Sequence, residues 1–315
     1  MMYKSILVPL DGSLFAEYAL PVARSIAYRT GAAIQLVHVH VPVTARYTKG
    51  PVAYPETLEA RYKERERAYL DKVSKRLEPG TNVQILSVLL DESGSIADTL
   101  NHHIKATEVG LVVMTTHGRG TLSRFWLGSV ADKLIRQVEK PILLIRPPEE
   151  VKAEPDLSQE RIFRHILIPL DGSVWSEQIL EHAVKLGKLM QVDYTLVRII
   201  EPVIPAIHPH TDYTIWLEQQ LLSQQQAEAQ KAKVQTYLDS VAERLRLRSF
   251  QVQTKVIFHR HPAMAILDEA NQGGIDLIAM ETHGYGGLRR LFIGSVADKV
   301  LRGTSIPVLL HHPYE

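Results

Sequence analysis

Short, unbroken apolar runs recur along this chain and alternate with longer stretches in which apolar residues return every three or four positions. Residues 5–10, 34–41, 111–115 and 142–145 have the length of strands, and segments such as Leu111-Val112-Val113-Met114 leave no polar face, which predicts burial on both sides. Residues 14–29, 58–77, 95–106 and 130–137 carry helical spacing, and residues 83–89 read as a further strand. Strands alternating with helices in this way predict a parallel sheet covered above and below, the doubly wound α/β class.

The pattern is then written a second time. Ile6-Leu7-Val8-Pro9-Leu10-Asp11-Gly12-Ser13 returns as Ile166-Leu167-Ile168-Pro169-Leu170-Asp171-Gly172-Ser173, and Tyr69-Leu70-Asp71 as Tyr237-Leu238-Asp239. A repeat of this length is a whole domain, not a solenoid unit. Residues 1–148 and 162–315 are expected to be the two domains. Residues 149–161, rich in proline and charge and without periodicity, are the expected linker. The second half departs mainly at residues 213–247, which read as one Gln-, Glu- and Leu-rich helix of roughly 50 Å at about 1.5 Å per residue. A solvated helix packed along one stripe is the first expectation there, and a partner-binding face at Trp216, Leu217 and Leu221 the second.

Composition narrows the field. A formal net charge of +1 provides no long-range field for nucleic acid or an anionic membrane, and no apolar run reaches the length of a membrane span. The chain contains no cysteine, so disulfides, thiolate zinc sites and a cysteine nucleophile are excluded. Together these predict a cytoplasmic protein.

The candidate chemistry lies where the repeats are tightest. His117-Gly118-Arg119-Gly120 leads to Gly128-Ser129-Val130-Ala131-Asp132-Lys133, and His283-Gly284-Tyr285-Gly286 leads at the same spacing to Gly294-Ser295-Val296-Ala297-Asp298-Lys299. In a doubly wound sheet, ligands bind beyond the carboxyl ends of strands one and four, the ends that these loops and Asp11 or Asp171 follow. A glycine-framed loop entering a helix presents bare amides and the positive end of the helix dipole, an arrangement suited to phosphate. Arg124 and Arg290 stand at matching places to clamp a polyphosphate. Two plainer readings remain: Ser129 with Asp132, and Ser295 with Asp298, spell a capping-box-like helix start, and Asp11-Gly12-Ser13 spells a turn followed by an N-cap.

The spacing Gly-x2-Gly-x9-Gly-Ser after the fourth strand, with Pro-x-Asp after the first, resembles the universal stress protein family, in a tandem two-domain form. The resemblance implies a five-stranded parallel sheet in each half, in the order 3-2-1-4-5, with ATP and magnesium at its carboxyl edge. It also implies pairing of the two halves through their last strands, and leaves a homodimer open. By position, Pro9, Leu10, Asp11 and Val39 would line an adenosine pocket, Met114 and Thr115 would lie near the ribose, and His117, Gly118, Gly128, Ser129 and Val130 would meet the phosphates. The second half offers Pro169, Leu170, Asp171 and Ile199, then Met280, and then His283, Gly284, Gly294, Ser295 and Val296. The motif's first glycine is Thr115 in one half and Glu281 in the other. A carboxylate turned onto the ligand at about 4 Å costs roughly 4 kcal/mol at an effective dielectric near 20. An inward Glu281 therefore predicts a second site that is empty or takes something other than ATP, whereas a Glu281 turned to solvent or magnesium leaves the site usable.

Other chemistries fit less well. There is no Gly-x4-Gly-Lys-Ser/Thr, Gly118-x-Gly120 lacks the third dinucleotide glycine, and no Gly-x-Ser-x-Gly elbow is present. His208, His210, His259, His261, His311 and His312 lack the His-x3-His spacing of a zinc enzyme, so solvated or core roles are expected for them. Slow ATP hydrolysis would need a base, for which Asp11 or His117 qualifies. A regulator that binds ATP is favoured over a catalyst, with a non-nucleotide scaffold as the remaining alternative. Residues 42–57 and 201–212 are candidate lids over the two carboxyl edges.

Overall fold

The computed structural model describes residues 3–42, 56–80, 82–116, 127–148, 151–202, 213–282 and 293–312, without the side chains of 213–219. The first half runs β1 (Ser5–Pro9), α1 (Leu14–Glu17), α2 (Leu20–Thr30), β2 (Ala33–His40), α3 (Glu56–Leu77), β3 (Ile85–Asp91), α4 (Ile96–Ala106), β4 (Val109–Thr115), α5 (Ser129–Gln137) and β5 (Ile142–Ile145). The second repeats it as β6 (His165–Pro169), α6 (Val174–Glu177), α7 (Ile179–Met190), β7 (Asp193–Ile200), α8 (Tyr213–Arg246), β8 (Val252–Phe258), α9 (Pro262–Gln272), β9 (Leu277–Glu281), α10 (Ser295–Gly303) and β10 (Val308–His311).

All ten strands join one sheet in the order β3-β2-β1-β4-β5-β10-β9-β6-β7-β8, so each half has the order 3-2-1-4-5. Pairing within each half is parallel. The halves meet where β5 and β10 pair antiparallel, with Leu143 opposite Leu309. Successive strand residues point to opposite faces. Ile6, Leu36, Val113 and Ala279 therefore enter the core shared with α2, α3, α7 and α8. Leu7, Val37, Met114 and Met280 enter the one shared with α4, α5, α9 and α10.

Three local differences from the sequence expectations have physical causes. The helix expected over residues 14–29 breaks at Tyr18 and Ala19; Pro21, at the first turn of α2, suits a restart there because it needs no N–H partner. The second half breaks at the same place without a proline, so Pro21 accommodates the break and does not cause it. β3 lies two residues later than expected, because an edge strand half open to water has weak apolar contrast. The linker is no slack tether: Arg24 donates to the Leu157 carbonyl (2.7 Å), Arg29 pairs with Glu160 (2.6 Å), and Lys72 and Arg76 pair with Glu154 (2.7 and 3.2 Å). The long helix α8 buries Leu238, Val241, Ala242 and Leu245 along one stripe while Leu221 and Leu222 stand exposed; the side chains of Trp216 and Leu217 lie outside the described residues. No helix among the described residues is long and apolar enough to cross a membrane.

Candidate functional site

Chain order reverses between β1 and β4, and again between β6 and β9, the position at which a doubly wound sheet places a crevice at its carboxyl edge. In the second half this crevice is a cavity of about 410 Å³. Pro169, Leu170 and Asp171 bring the end of β6 to it, Ile199 the end of β7, Met280 the end of β9, and Gly294, Ser295 and Val296 the start of α10. Val197, Pro262 and Ile266 complete an apolar wall. Its size falls within the roughly 300–1,000 Å³ of small-molecule pockets.

The first-half residues occupy the same places on their own elements. Pro9 ends β1, with Leu10 and Asp11 in the turn beyond, Val39 lies next to the end of β2, Met114 and Thr115 end β4, and Gly128, Ser129 and Val130 open α5. His117, Gly118, Arg124, His283, Gly284 and Arg290 lie outside the described residues, as does most of both candidate lids.

The capping-box reading of Ser129 and Ser295 is overturned. The N-cap residues are Gly128 and Gly294, neither helix start has a side-chain cap, and each serine is the first helical residue. Asp132 is drawn instead to Arg136 (2.8 and 3.0 Å), and Asp298 to Arg302 (2.9 Å), one turn along. Each glycine amide donates back to a strand-end carbonyl at 2.8 Å, from Gly128 to Thr116 and from Gly294 to Thr282, which aims the helix axis at the crevice. The next amides of α10 therefore face the cavity without a competing side chain.

The turn-and-cap reading of Asp11-Gly12-Ser13 is what the structure contains. Asp11 Oδ1 accepts from the Ser13 amide (2.9 Å) and hydroxyl (2.6 Å), and Ser13 Oγ in turn accepts from the Ala16 amide. Asp171 and Ser173 repeat the arrangement. Gly12 and Gly172 sit at φ of 83° and 79°, the left-handed region where an L side chain is strained.

Glu281 is turned away from the cavity's apolar wall. Met280 faces that wall, so strand alternation sends Glu281 to the opposite face, where its carboxyl meets His311 Nδ1 at 3.0 and 3.1 Å. Burial pushes the carboxyl up to about 9, so it is neutral near pH 7. Glu281 nonetheless borders the cavity, with its carboxyl engaged by His311, and only its neutral form spares a bound anion the like-charge penalty.

One repeated constellation escaped the sequence reading. Tyr69 donates to Glu17 (3.1 Å), which also receives Arg76, and Tyr237 donates to Glu177 (3.0 Å), which also receives Arg244. Each trio ties the short helix after the aspartate turn to the long helix beneath it. Burial, then the adjacent carboxylate, raises both tyrosines far above their ordinary range, so they remain donors. The signal was available, since Ser-x3-Glu and Tyr-x6-Arg recur at equal spacing in the two halves. Among the histidines, His259 Nδ1 accepts from the His261 amide (2.9 Å), and no group of three His, Asp or Glu among the described residues is arranged to hold a metal.

Known proteins share this architecture. A crystal structure of a universal stress protein from Archaeoglobus fulgidus superposes with a TM-score of 0.68 over 100% of this chain and 99% of that one; at 17% identity the likeness shows the fold. A universal stress protein of Mycolicibacterium smegmatis is 26% identical over 317 residues, 98% of this chain and 97% of its own. One from Mycobacterium tuberculosis strain H37Rv is 27% identical over 311 residues, 97% and 96% of the two chains. The model of the universal stress protein family matches twice, over residues 2–146 and 162–312, and the chain belongs to that family in a tandem form.

Proposed function

We propose that this tandem universal stress protein binds ATP with magnesium at the carboxyl edge of its sheet and acts as a stress-response regulator. The observation that carries the reading is the 410 Å³ cavity onto which the uncapped start of α10 opens. Its apolar walls suit a base and ribose, and the amides of Ser295 and Val296 with the Ser295 hydroxyl suit phosphate. Equivalent residues at β1, β2, β4 and α5 extend the proposal to the first half, with Arg124 and Arg290 as phosphate clamps. We favour regulation over catalysis: of the two candidate bases, Asp11 has its Oδ1 held by the Ser13 amide and hydroxyl.

Titration of the full chain with a fluorescent ATP analogue and magnesium should saturate below about millimolar, a weak-binding limit near −4 kcal/mol. Gly128→Trp and Gly294→Trp should each remove one equivalent. Failure to saturate, or saturation unaffected by either substitution, refutes the assignment.

A further inference from the structure

Three titratable side chains pack together out of water on the face of the sheet opposite the cavity's apolar wall. Glu281 at the end of β9 is 5% exposed, His311 at the end of β10 is 1% exposed, and His182 on α7 is 9% exposed. The His311 ring, bonded to both carboxyl oxygens of Glu281, stands 4.3 Å from the His182 ring, centroid to centroid. The first half has Thr115, Ile145 and Val22 at the matching positions, so the trio belongs to the second half alone.

The same residues root the cavity. The Thr282 amide donates to the His311 carbonyl (2.9 Å), and the Gly294 amide, at the start of α10, donates to the Thr282 carbonyl (2.8 Å). Glu281, Thr282 and Gly294 all border the cavity. The other groups facing the trio are Glu181 and Lys185 on α7, Lys140 and the Glu139 carbonyl before β5, and His312, which shares Thr282 Oγ1 (3.0 Å). Burial is the largest influence on each member: it pushes Glu281 up to about 9 and His182 and His311 down to about 4 and 3. The trio is therefore uncharged near neutral pH.

We propose that Glu281 is a proton-linked positioning residue of the second-half cavity: its neutral carboxyl, held by His311, keeps the end of β9 and the start of α10 in the anion-accepting arrangement, and the anion is released when that proton leaves. This rests on the nucleotide reading of the cavity. An anion seated at the start of α10 adds negative charge at the end of the strand that carries Glu281, which opposes ionisation of the carboxyl. By reciprocity an ionised Glu281 opposes the anion to the same extent.

The test uses the full chain carrying Gly128→Trp, so that only the second cavity reports, with ATP and magnesium as the probe. Calorimetric titrations at about pH 7 and about pH 9.5, in buffers of different ionisation enthalpy, read affinity and proton uptake together. Affinity should fall by up to about fourfold between these two pH values, the ceiling set by one proton lost near 9, with protons taken up on binding at the alkaline end. Glu281→Gln, which keeps the shape and a partner for His311, should show neither effect. A chain with Glu281→Thr, His311→Ile and His182→Val, the residues of the first half, should give the same flat profile if the single variant packs poorly. Binding at pH 7 followed by an equal alkaline fall in parent and variants overturns the inference alone. No saturation even at pH 7 overturns the nucleotide reading and this inference with it.

Discussion

Folding stability should fall as pH rises above about 6.5, and Glu281→Gln should remove that fall. In the native state the buried carboxyl keeps its proton up to about 9, whereas in the unfolded chain it loses it near its ordinary value of about 4.5. Across the neutral to mildly alkaline range the native state therefore holds one proton more than the unfolded state, and each pH unit costs about 1.4 kcal/mol of stability. Two units, from about pH 6.5 to 8.5, amount to about 2.7 kcal/mol, a large fraction of the 5–15 kcal/mol typical of a domain. On the acid side the signs reverse. His182 and His311 titrate in the native state only near 4 and 3, so below about 6.5 the unfolded chain takes up two protons against the one that Glu281 already holds. These three groups together make stability fall by about 1.4 kcal/mol per unit toward acid, with their joint maximum near pH 6.5; burial also lowers His103, which steepens the acid limb. Glutamine at 281 should flatten the alkaline limb and roughly double the slope of the acid limb, because the offsetting proton is gone. Urea unfolding followed by circular dichroism at half-unit pH intervals measures both limbs. An alkaline slope in Glu281→Gln as steep as in the parent would show that Glu281 is ionised in its buried site, and would refute the reasoning.

Four further substitutions test the local physics. Gln191 ends α7 at φ 53°, where the first half uses Gly31 at φ 69°, so Gln191→Gly should raise stability by about 1 kcal/mol in thermal or urea unfolding. Gly172→Ala should cost about 1–2 kcal/mol, since the turn holds φ 79° and a Cβ there would lie 2.5 Å from Arg198 Nη1, forcing that side chain aside. Tyr69→Phe and Tyr237→Phe each remove one hydrogen bond to a carboxylate, about 1.5–3 kcal/mol for a charged acceptor. Tyr69→Phe should cost more, because the carboxyl of Glu17 is 4% exposed and that of Glu177 is 25%; equal losses would show that burial of the acceptor is irrelevant here.

What the sequence disclosed followed from how plainly each feature imprints on local pattern. Strands buried on both faces leave unbroken apolar runs, so β1, β4 and β5 were legible to within a residue or two, and the order within each half came with the family resemblance. The break between α1 and α2 was not, because apolar periodicity runs through it and Pro21 falls where a helix start tolerates it. Ser129 was misread as a cap because Ser-x2-Asp is a capping pattern; the preceding glycine takes that role, and Asp132 finds Arg136 one turn on. The orientation of Glu281 was available from strand parity once Met280 was placed in the cavity wall. Its partner was not, since His311 lies thirty residues away on a strand whose register depends on the whole sheet.

The two halves share most of their crevice residues and the Tyr–Glu–Arg trio behind the sheet, and differ at a few charged positions on that far side. On the cavity side, Val39 and Ile199, Met114 and Met280, Gly128 and Gly294, Ser129 and Ser295, and Val130 and Val296 correspond closely. On the far side, the first half sets His40 between Glu59 (2.5 Å) and Glu66 (2.6 Å), with His38 beside Glu66, where the second half has Ile200, Ala227, Val234 and Arg198. The second half in turn carries Glu281, His311 and His182 against Thr115, Ile145 and Val22. These matched positions are what extends the proposed nucleotide site from the second half to the first. Under the proposed function, a difference in affinity between the halves originates either in positions that differ in sequence, 43–55 against 203–212, 117–126 against 283–292 and His38 against Arg198, or in charge held behind the sheet. The second source is separable from the first by pH, since only the second half has a proton to lose above neutrality at the root of its glycine loop.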